Sequence, residues 1–321
     1  MTPSNPPRDE SVSKPGAAQP VPAAHLDSTA HLMNRISSQL ASQLSLVSLN
    51  GRRRPGPPAL VVVAHGSRDP RALSTVRTLL DRVREQRPGL PVHLGHIELN
   101  EPLLPDTLAG LGTGEAVLVP LLLGRGYHVK QDIPEMAAAA EARTRVAAPL
   151  GPHPLLAKAL ADRLVEAGWR TRMDEATRRT SAVVLAAAGS RDPESKVDTN
   201  RTALLLSERL GVPVVPAYAT TAAPRVPDAI RALIASGRHR VAVASYFTAP
   251  GRFATECAQA APWIASAPLG THPAMAELVV HRYDQALSTR APITDLRGAG
   301  PRRSAAAPQG ATGPARPALA V

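Results

Sequence analysis

The sequence predicts an α/β fold built from two tandem sets of four parallel strands, each set flanked by helices. Three observations carry this. Short apolar runs, "ALVVVA" and "AVLVPLLL" among them, alternate with amphipathic segments, these central runs lack polar–apolar alternation, and the whole series occurs twice. A run that is apolar on both sides belongs in a strand buried on both faces, as in a parallel sheet covered by helices. Strand–helix–strand units of this length close with right-handed crossovers.

In the first series, "ALVVVA" (59–64) reads as a strand stopped by a His-Gly turn. Leu73, Val76, Leu79, Leu80 and Val83 then share one face of a helix. Residues 91–99 read as the second strand and 103–111 as a helix, and 116–123 read as the third strand. A helix over about 133–143, a strand over 145–150 and a helix over 155–167 complete the set. After a polar linker the order repeats, with strands at 181–188, 213–219, 240–247 and 263–269. Helices are predicted over 202–210, about 228–235, near 255–261 and over 274–287. Three matched segments establish the duplication. "AHGSRDP" recurs as "AAGSRDP", "EPLLPDTLAGL" as "APRVPDAIRAL", and "APLGPHPLLAKAL" as "APLGTHPAMAELV", at offsets of 123, 122 and 119 residues. The resulting division is a tail over 1–58, a first half over 59–170, a linker over 171–180, a second half over 181–287 and a tail over 288–321.

Composition narrows the function. The 321 residues are 44% hydrophobic but only 2% aromatic, so the core is built from Leu, Val, Ile and Ala. A single cysteine excludes an internal disulfide framework and a cysteine-based zinc site. No apolar run is long enough to span a bilayer, and the first residues lack a signal-peptide pattern, so a cytoplasmic protein without a membrane partner is expected. The net charge of +11 lies mostly in the tails. Residues 1–59 carry six basic against three acidic side chains, residues 287–321 five against one, and the remaining core 26 against 22. With no basic–aromatic interleaving, nucleic acid is not expected as a partner. Residues 1–24 and the segment from about 288 read as disordered, with a weak helical pattern over 28–47.

In an open α/β sheet, ligands sit beyond the carboxyl ends of the strands. The first strand ends at His65, the second near His96 and Glu98, and the third runs into "GRGYHVKQD" with His128. Two imidazoles and a carboxylate therefore converge on one edge. Such donors suit a borderline divalent ion such as Fe, Co, Ni or Zn, and imidazoles so placed also serve as general bases or as ordinary structural residues. Gly66, Gly124 and Gly126 allow a bulky ligand close to the backbone, or simply make turns.

"VVVAHGSRDP" together with "VPLLLGRGYHVKQDIP" (119–134) resembles the sirohydrochlorin chelatase family, whose members insert a divalent metal into sirohydrochlorin. "GHIELNEP" (95–102) and "PLGPHP" resemble further segments of it. The resemblance covers roughly residues 59–286, and the duplication resembles the longer members, in which two chelatase-like halves face a shared cleft. It implies a chelatase-like fold, no organic cofactor, and Fe2+ or Co2+ as substrate, iron leading to sirohaem and cobalt towards cobalamin. Iron is the first expectation. His65 and His128 match the metal-binding, catalytic pair, and Glu98 matches the carboxylate position. The partner is sirohydrochlorin or a related acidic tetrapyrrole. Substrate contacts are accordingly expected from Ser67, Arg68, Gly124, Arg125 and Lys130, and from Ser190, Arg191 and Arg252 in the second half.

The second half departs from the pattern at each metal position. Ala188 stands for His65, Thr220 or a neighbour for Glu98, and Arg252, within a residue or two, for His128. It reads as a structural and substrate-binding half. His153 and His272 persist in both halves, where metal ligands do not, and read as structural. A duplicated chain supplies both walls of a cleft, so a monomer is expected. Two other functions fit parts of the pattern. One is a carrier that binds metal or tetrapyrrole without insertion. The other is a hydrolase pairing Ser67 with His65, disfavoured because no Gly-x-Ser-x-Gly elbow is present.

Overall fold

The computed structural model describes residues 56–289. The helical pattern of 28–47, and the two tails apart from their innermost residues, lie outside this range. Eight strands form two four-stranded parallel sheets. The first sheet holds β1 (Ala59–Ala64), β2 (Val92–His96), β3 (Glu115–Pro120) and β4 (Arg143–Val146), in the order β2-β1-β3-β4. The second holds β5 (Ser181–Ala187), β6 (Val214–Tyr218), β7 (Arg240–Tyr246) and β8 (Ile264–Ala265), in the order β6-β5-β7-β8. The helices are α1 (Pro70–Gln86), α2 (Leu104–Ala109), α3 (Ile133–Ala139), α4 (Pro154–Glu166), α5 (Glu175–Thr180), α6 (Pro193–Leu210), α7 (Val226–Ala235), α8 (Arg252–Gln259) and α9 (Pro273–Ser288). None of them is long and apolar enough to cross a membrane.

Each central strand is buried on both faces, which explains its unbroken apolar sequence. Leu60, Val62 and Ala64 of β1 face a core shared with Val183, Leu185 and Ala187 of β5. Val61 and Val63 face outward onto Leu104, Leu108 and Ile133, under α2 and α3. Val184 and Ala186 of β5 likewise face Val226, Ile230 and Leu233 of α7. The shared core is filled by α1, α4, α6 and α9. The last helix of each half packs across the duplication: α4 on α6 and β7, and α9 on α1 and β3. Tyr283 of α9 donates its hydroxyl to Pro58 O at 2.6 Å, and Arg282 donates to Leu150 O at 3.1 Å.

Several predicted elements shift, each for a local reason. The edge strands β4 and β8 are shorter than expected because Pro149 and Pro268 have no amide hydrogen. Pairing resumes beyond them, Leu150 N donating to Leu122 O at 2.8 Å and Leu269 N to Phe247 O at 2.9 Å. The predicted linker contains α5, whose first turn is capped by the Asp174 carboxylate accepting from Thr177 N at 2.6 Å. Helix α6 begins nine residues before the apolar periodicity, directly after its cap Asp192, because its early buried positions, Asp198, Thr199 and Thr202, are polar. A π-turn over His128–Asp132 precedes α3, where only a loop was expected.

Candidate functional site

The first sheet changes winding direction between β1 and β3, and ligand crevices form at such a point, beyond the strand ends. His65 follows β1, and His128 opens the π-turn after β3. Their rings meet edge to face, with centroids 4.6 Å apart. Register places Glu98 beside them. Ala64 pairs with His96, and the ladder runs on through Ile97 N to Ala64 O at 2.9 Å and Glu98 N to His65 O at 3.0 Å. Glu98 Oε1 lies 3.5 Å from His65 Nδ1.

Gly66 makes this crossing possible. It sits at φ +107°, and a Cβ there would lie 1.8 Å from the Glu98 carbonyl oxygen. Gly189 repeats the device at φ +97°, with a Cβ position 2.2 Å from Thr220 O. The same ladder, Thr220 N to Ala188 O at 2.9 Å, identifies Thr220 as the counterpart of Glu98.

His128 Nδ1 donates to Asp132 Oδ2 at 2.5 Å across one turn. This contact fixes the ring and leaves Nε2 as the lone-pair nitrogen. Asp132 was not singled out from the sequence, although His-x-x-x-Asp is the spacing that brings two side chains onto one helical face. Among the described residues, no three His, Cys, Asp or Glu side chains are gathered closely enough to hold an ion by themselves. The site is a pair of imidazoles, each with a carboxylate beside it.

His65 opens onto a cavity of about 700 Å³ between the halves. Ser67, Arg68, Leu99 and Asn100 line one side, and Ala188, Phe247, Arg252 and Phe253 the other. His96 also lines it, but is 2% exposed, and its Nδ1 lies 3.1 Å from Pro102 O. Burial pushes this imidazole below its ordinary pKa, so it is a neutral buried prop. Asn100 accepts from Ser67 N at 2.7 Å and thereby pins the turn after His65. Leu99 is 52% exposed and sits at φ 68°, unusual for a residue with a branched side chain.

The expected substrate residues divide. Ser67, Arg68 and Arg252 line the cavity; Gly124, Arg125, Lys130, Ser190 and Arg191 do not. Arg125 is paired across the halves with Asp198 at 2.7 Å and Glu194 at 2.9 Å. Those acids raise its pKa further, Asp198 foremost. Lys130 is paired with Asp192 at 2.7 Å and also with Glu194. Gly124 lies against Asp198, whose Cβ would be 3.4 Å from a Cβ added there. Ser67 and Ser190 accept from Asp69 N and Asp192 N, both at 3.1 Å, and so close the turns before α1 and α6. Asp69 and Asp192 are themselves the helix caps.

Register also refines the counterpart of His128. Leu150 N bonds Leu122 O where Leu269 N bonds Phe247 O, which superposes Gly126 on Gly251. Phe253 then stands opposite His128, and Arg252 opposite Tyr127, one residue from the expectation. His153 and His272 are caps: their Nδ1 atoms accept from Leu155 N at 3.1 Å and Ala274 N at 3.2 Å.

The model of the CbiX family matches residues 59–167 and again 182–286. A sirohydrochlorin cobaltochelatase of Methanococcus aeolicus is 35% identical over 81 residues, which cover 24% of this chain and 57% of that protein. A sirohydrochlorin ferrochelatase of Bacillus subtilis is 29% identical over 180 residues, 53% of this chain and 66% of the relative. The chain thus spans a little over half to about two thirds of the length of these relatives. The fold resembles SirB from Bacillus subtilis with Fe3+, at a TM-score of 0.58 and 23% identity, covering 72% of this chain and 95% of that one. It also resembles a CbiX structure described as the terminal enzyme of siroheme biosynthesis in denitrifying bacteria, at 0.55 and 21%, covering 72% and 100%. Matched once in each half, the chain belongs to the CbiX family, that of the sirohydrochlorin chelatases, in its two-half form.

Proposed function

We propose that this chain inserts a divalent metal ion, Fe2+ or Co2+, into sirohydrochlorin or a closely related acidic tetrapyrrole. The observation that carries the reading is the His65–His128 ring pair, of which His65 lines an inter-half cavity whose far wall offers Ala188 and Phe253 in place of ligands. Curated relatives include both cobaltochelatases and a ferrochelatase, and imidazole with carboxylate accepts either ion. Two protein nitrogens leave most of an ion's coordination sphere open to the four nitrogens of a macrocycle.

The chemistry follows from the donors. Neutral imidazoles hold the ion, and Asp132 keeps the His128 Nδ1 proton away from the metal-facing nitrogen. As metal enters, two pyrrole protons leave. Glu98, half exposed and beside His65, takes them in turn and passes them to water. Phe253 and Phe247 give the flat ring an apolar wall, while the exposed Arg68 and Arg252 offer cations to its carboxylates. Both halves build this one cavity, which supports a monomer as the working unit, and the insertion proposed here calls for no organic cofactor.

The test is anaerobic incubation of purified protein with sirohydrochlorin and Fe2+ or Co2+, followed by absorption. Wild type is expected to accelerate the metal-dependent colour change above the spontaneous rate. Binding without acceleration would identify a carrier, and Fe2+ against Co2+ in competition separates the metals.

A further inference from the structure

The second half has imidazole at none of the corresponding positions, yet one of its helices carries a ladder of carboxylates and a buried hydroxyl that the first half lacks. Glu194, Asp198 and Thr202 lie four residues apart on α6. Asp198 is 2% exposed and Thr202 fully buried. At the corresponding positions of α1 stand Arg71, Thr75 and Leu79, 123 residues earlier in each case.

This ladder faces the loop between β3 and the π-turn. The Asp198 carboxylate accepts from Arg125 N at 2.9 Å and from the Arg125 guanidinium at 3.0 and 2.7 Å. Glu194 accepts from the same guanidinium at 2.9 Å. Lys130, two residues past His128, is held by Asp192 and Glu194. Tyr246 of β7 donates its hydroxyl to Leu123 O at 2.8 Å and lies 3.1 Å from the Thr202 hydroxyl. Its first-half counterpart, Leu121, has no hydroxyl to offer. The loop is therefore gripped at Leu123, Arg125 and Lys130, on both sides of His128, by groups from the other half. A buried carboxylate that meets both a backbone amide and a guanidinium leaves that backbone little freedom.

We propose that Asp198, supported by Tyr246, is a positioning residue that fixes the 123–130 loop and thereby the placement of His128, so that the second half serves the metal site through α6. This rests on His128 as a metal-binding residue in the function proposed above. The ligands and the ladder are complementary: each half keeps what the other lacks.

The experiment compares wild type with Asp198→Asn and Tyr246→Phe in three measurements: Co2+ binding followed by its visible absorption, amide hydrogen exchange over residues 123–132, and kcat and KM for metal insertion. Asp198→Asn is expected to weaken Co2+ about 10- to 100-fold, in the range seen when groups supporting a metal-binding histidine are removed. It is also expected to speed exchange in the loop and to lower kcat more than it raises KM. Tyr246→Phe, which removes one hydroxyl from an unchanged ring, is expected to act in the same direction and more weakly, and it carries the test if Asp198→Asn does not fold. Folded variants with the wild-type Co2+ spectrum, affinity and loop exchange overturn the proposal. If exchange and Co2+ affinity shift while wild type itself inserts no metal, the chelatase reading fails and the positioning role stands.

Discussion

His65 and His128 lie 63 residues apart in sequence, yet their rings meet with centroids 4.6 Å apart and planes at 89°. One follows β1 and the other follows β3, and the neighbouring register of those strands brings them together. Replacing either by alanine is expected to lower metal insertion at least about 100-fold, leaving the folding transition near that of wild type because both rings are partly exposed. Turnover by anaerobic absorption, paired with a thermal melt, checks this.

Asp132 holds the Nδ1 proton of His128. Asp132→Asn keeps the shape but loses the charge that orients the ring. Co2+ affinity by titration calorimetry is expected to fall about 10-fold or more. An unaltered affinity would remove Asp132 from the site.

Gly66 and Gly189 make the same crossing, one beside the imidazole pair and one beside Ala188, where no imidazole stands. Alanine at either position combines a left-handed backbone with a Cβ inside a carbonyl contact, at 1.8 and 2.2 Å respectively. Each is expected to cost more than ~3 kcal/mol in denaturant unfolding, well beyond the 1–2 of the backbone alone. Equal losses at both sites would show that the glycine serves the crossing and not the ligand.

Ala188→His restores an imidazole opposite His65, but Thr220 and Phe253 still stand at the other two positions. The expected result is one Co2+ per chain by calorimetry, as in wild type. A second bound ion of similar affinity would refute the register assignment of Phe253.

Burial, with Arg282 and His281 nearby, pushes His153 down to about 4, and burial lowers His272 as well. An unfolded histidine titrates near 6.5. Between those values the unfolded chain binds the extra proton, so stability present above about pH 6.5 is lost as pH falls toward 4 and levels off below. For the partly exposed His153 the loss is about 1 kcal/mol, since solvent screens part of the shift. His153→Asn keeps an acceptor for Leu155 N and is expected to flatten this part of the Tm-against-pH curve.

The strands were legible because burial on both faces writes itself into sequence as an unbroken apolar run, as in Ala59–Ala64 and Ser181–Ala187. The candidate site was legible because parallel strands deliver His65, Glu98 and His128 to one edge whatever the details of packing. Out of reach of the sequence were side chains that answer to a distant partner. Arg125 and Lys130 read as cations for an acidic ligand, and Asp192, Glu194 and Asp198, more than sixty residues later, are what the fold pairs them with. The first turns of α6 were missed for the same reason, their buried positions being polar to meet that loop.

By itself, then, the sequence determined the duplicated α/β fold, the edge where the candidate site lies, and the restriction of the imidazole pair to the first half. These follow from local periodicity and strand direction. Tertiary structure alone decided that α4 and α9 pack across the halves, that Phe253 holds the position equivalent to His128, and that the second half's acids grip the first half's loop. Charge pairing and core packing act between segments far apart in the chain, and no local pattern records which partner a side chain will find.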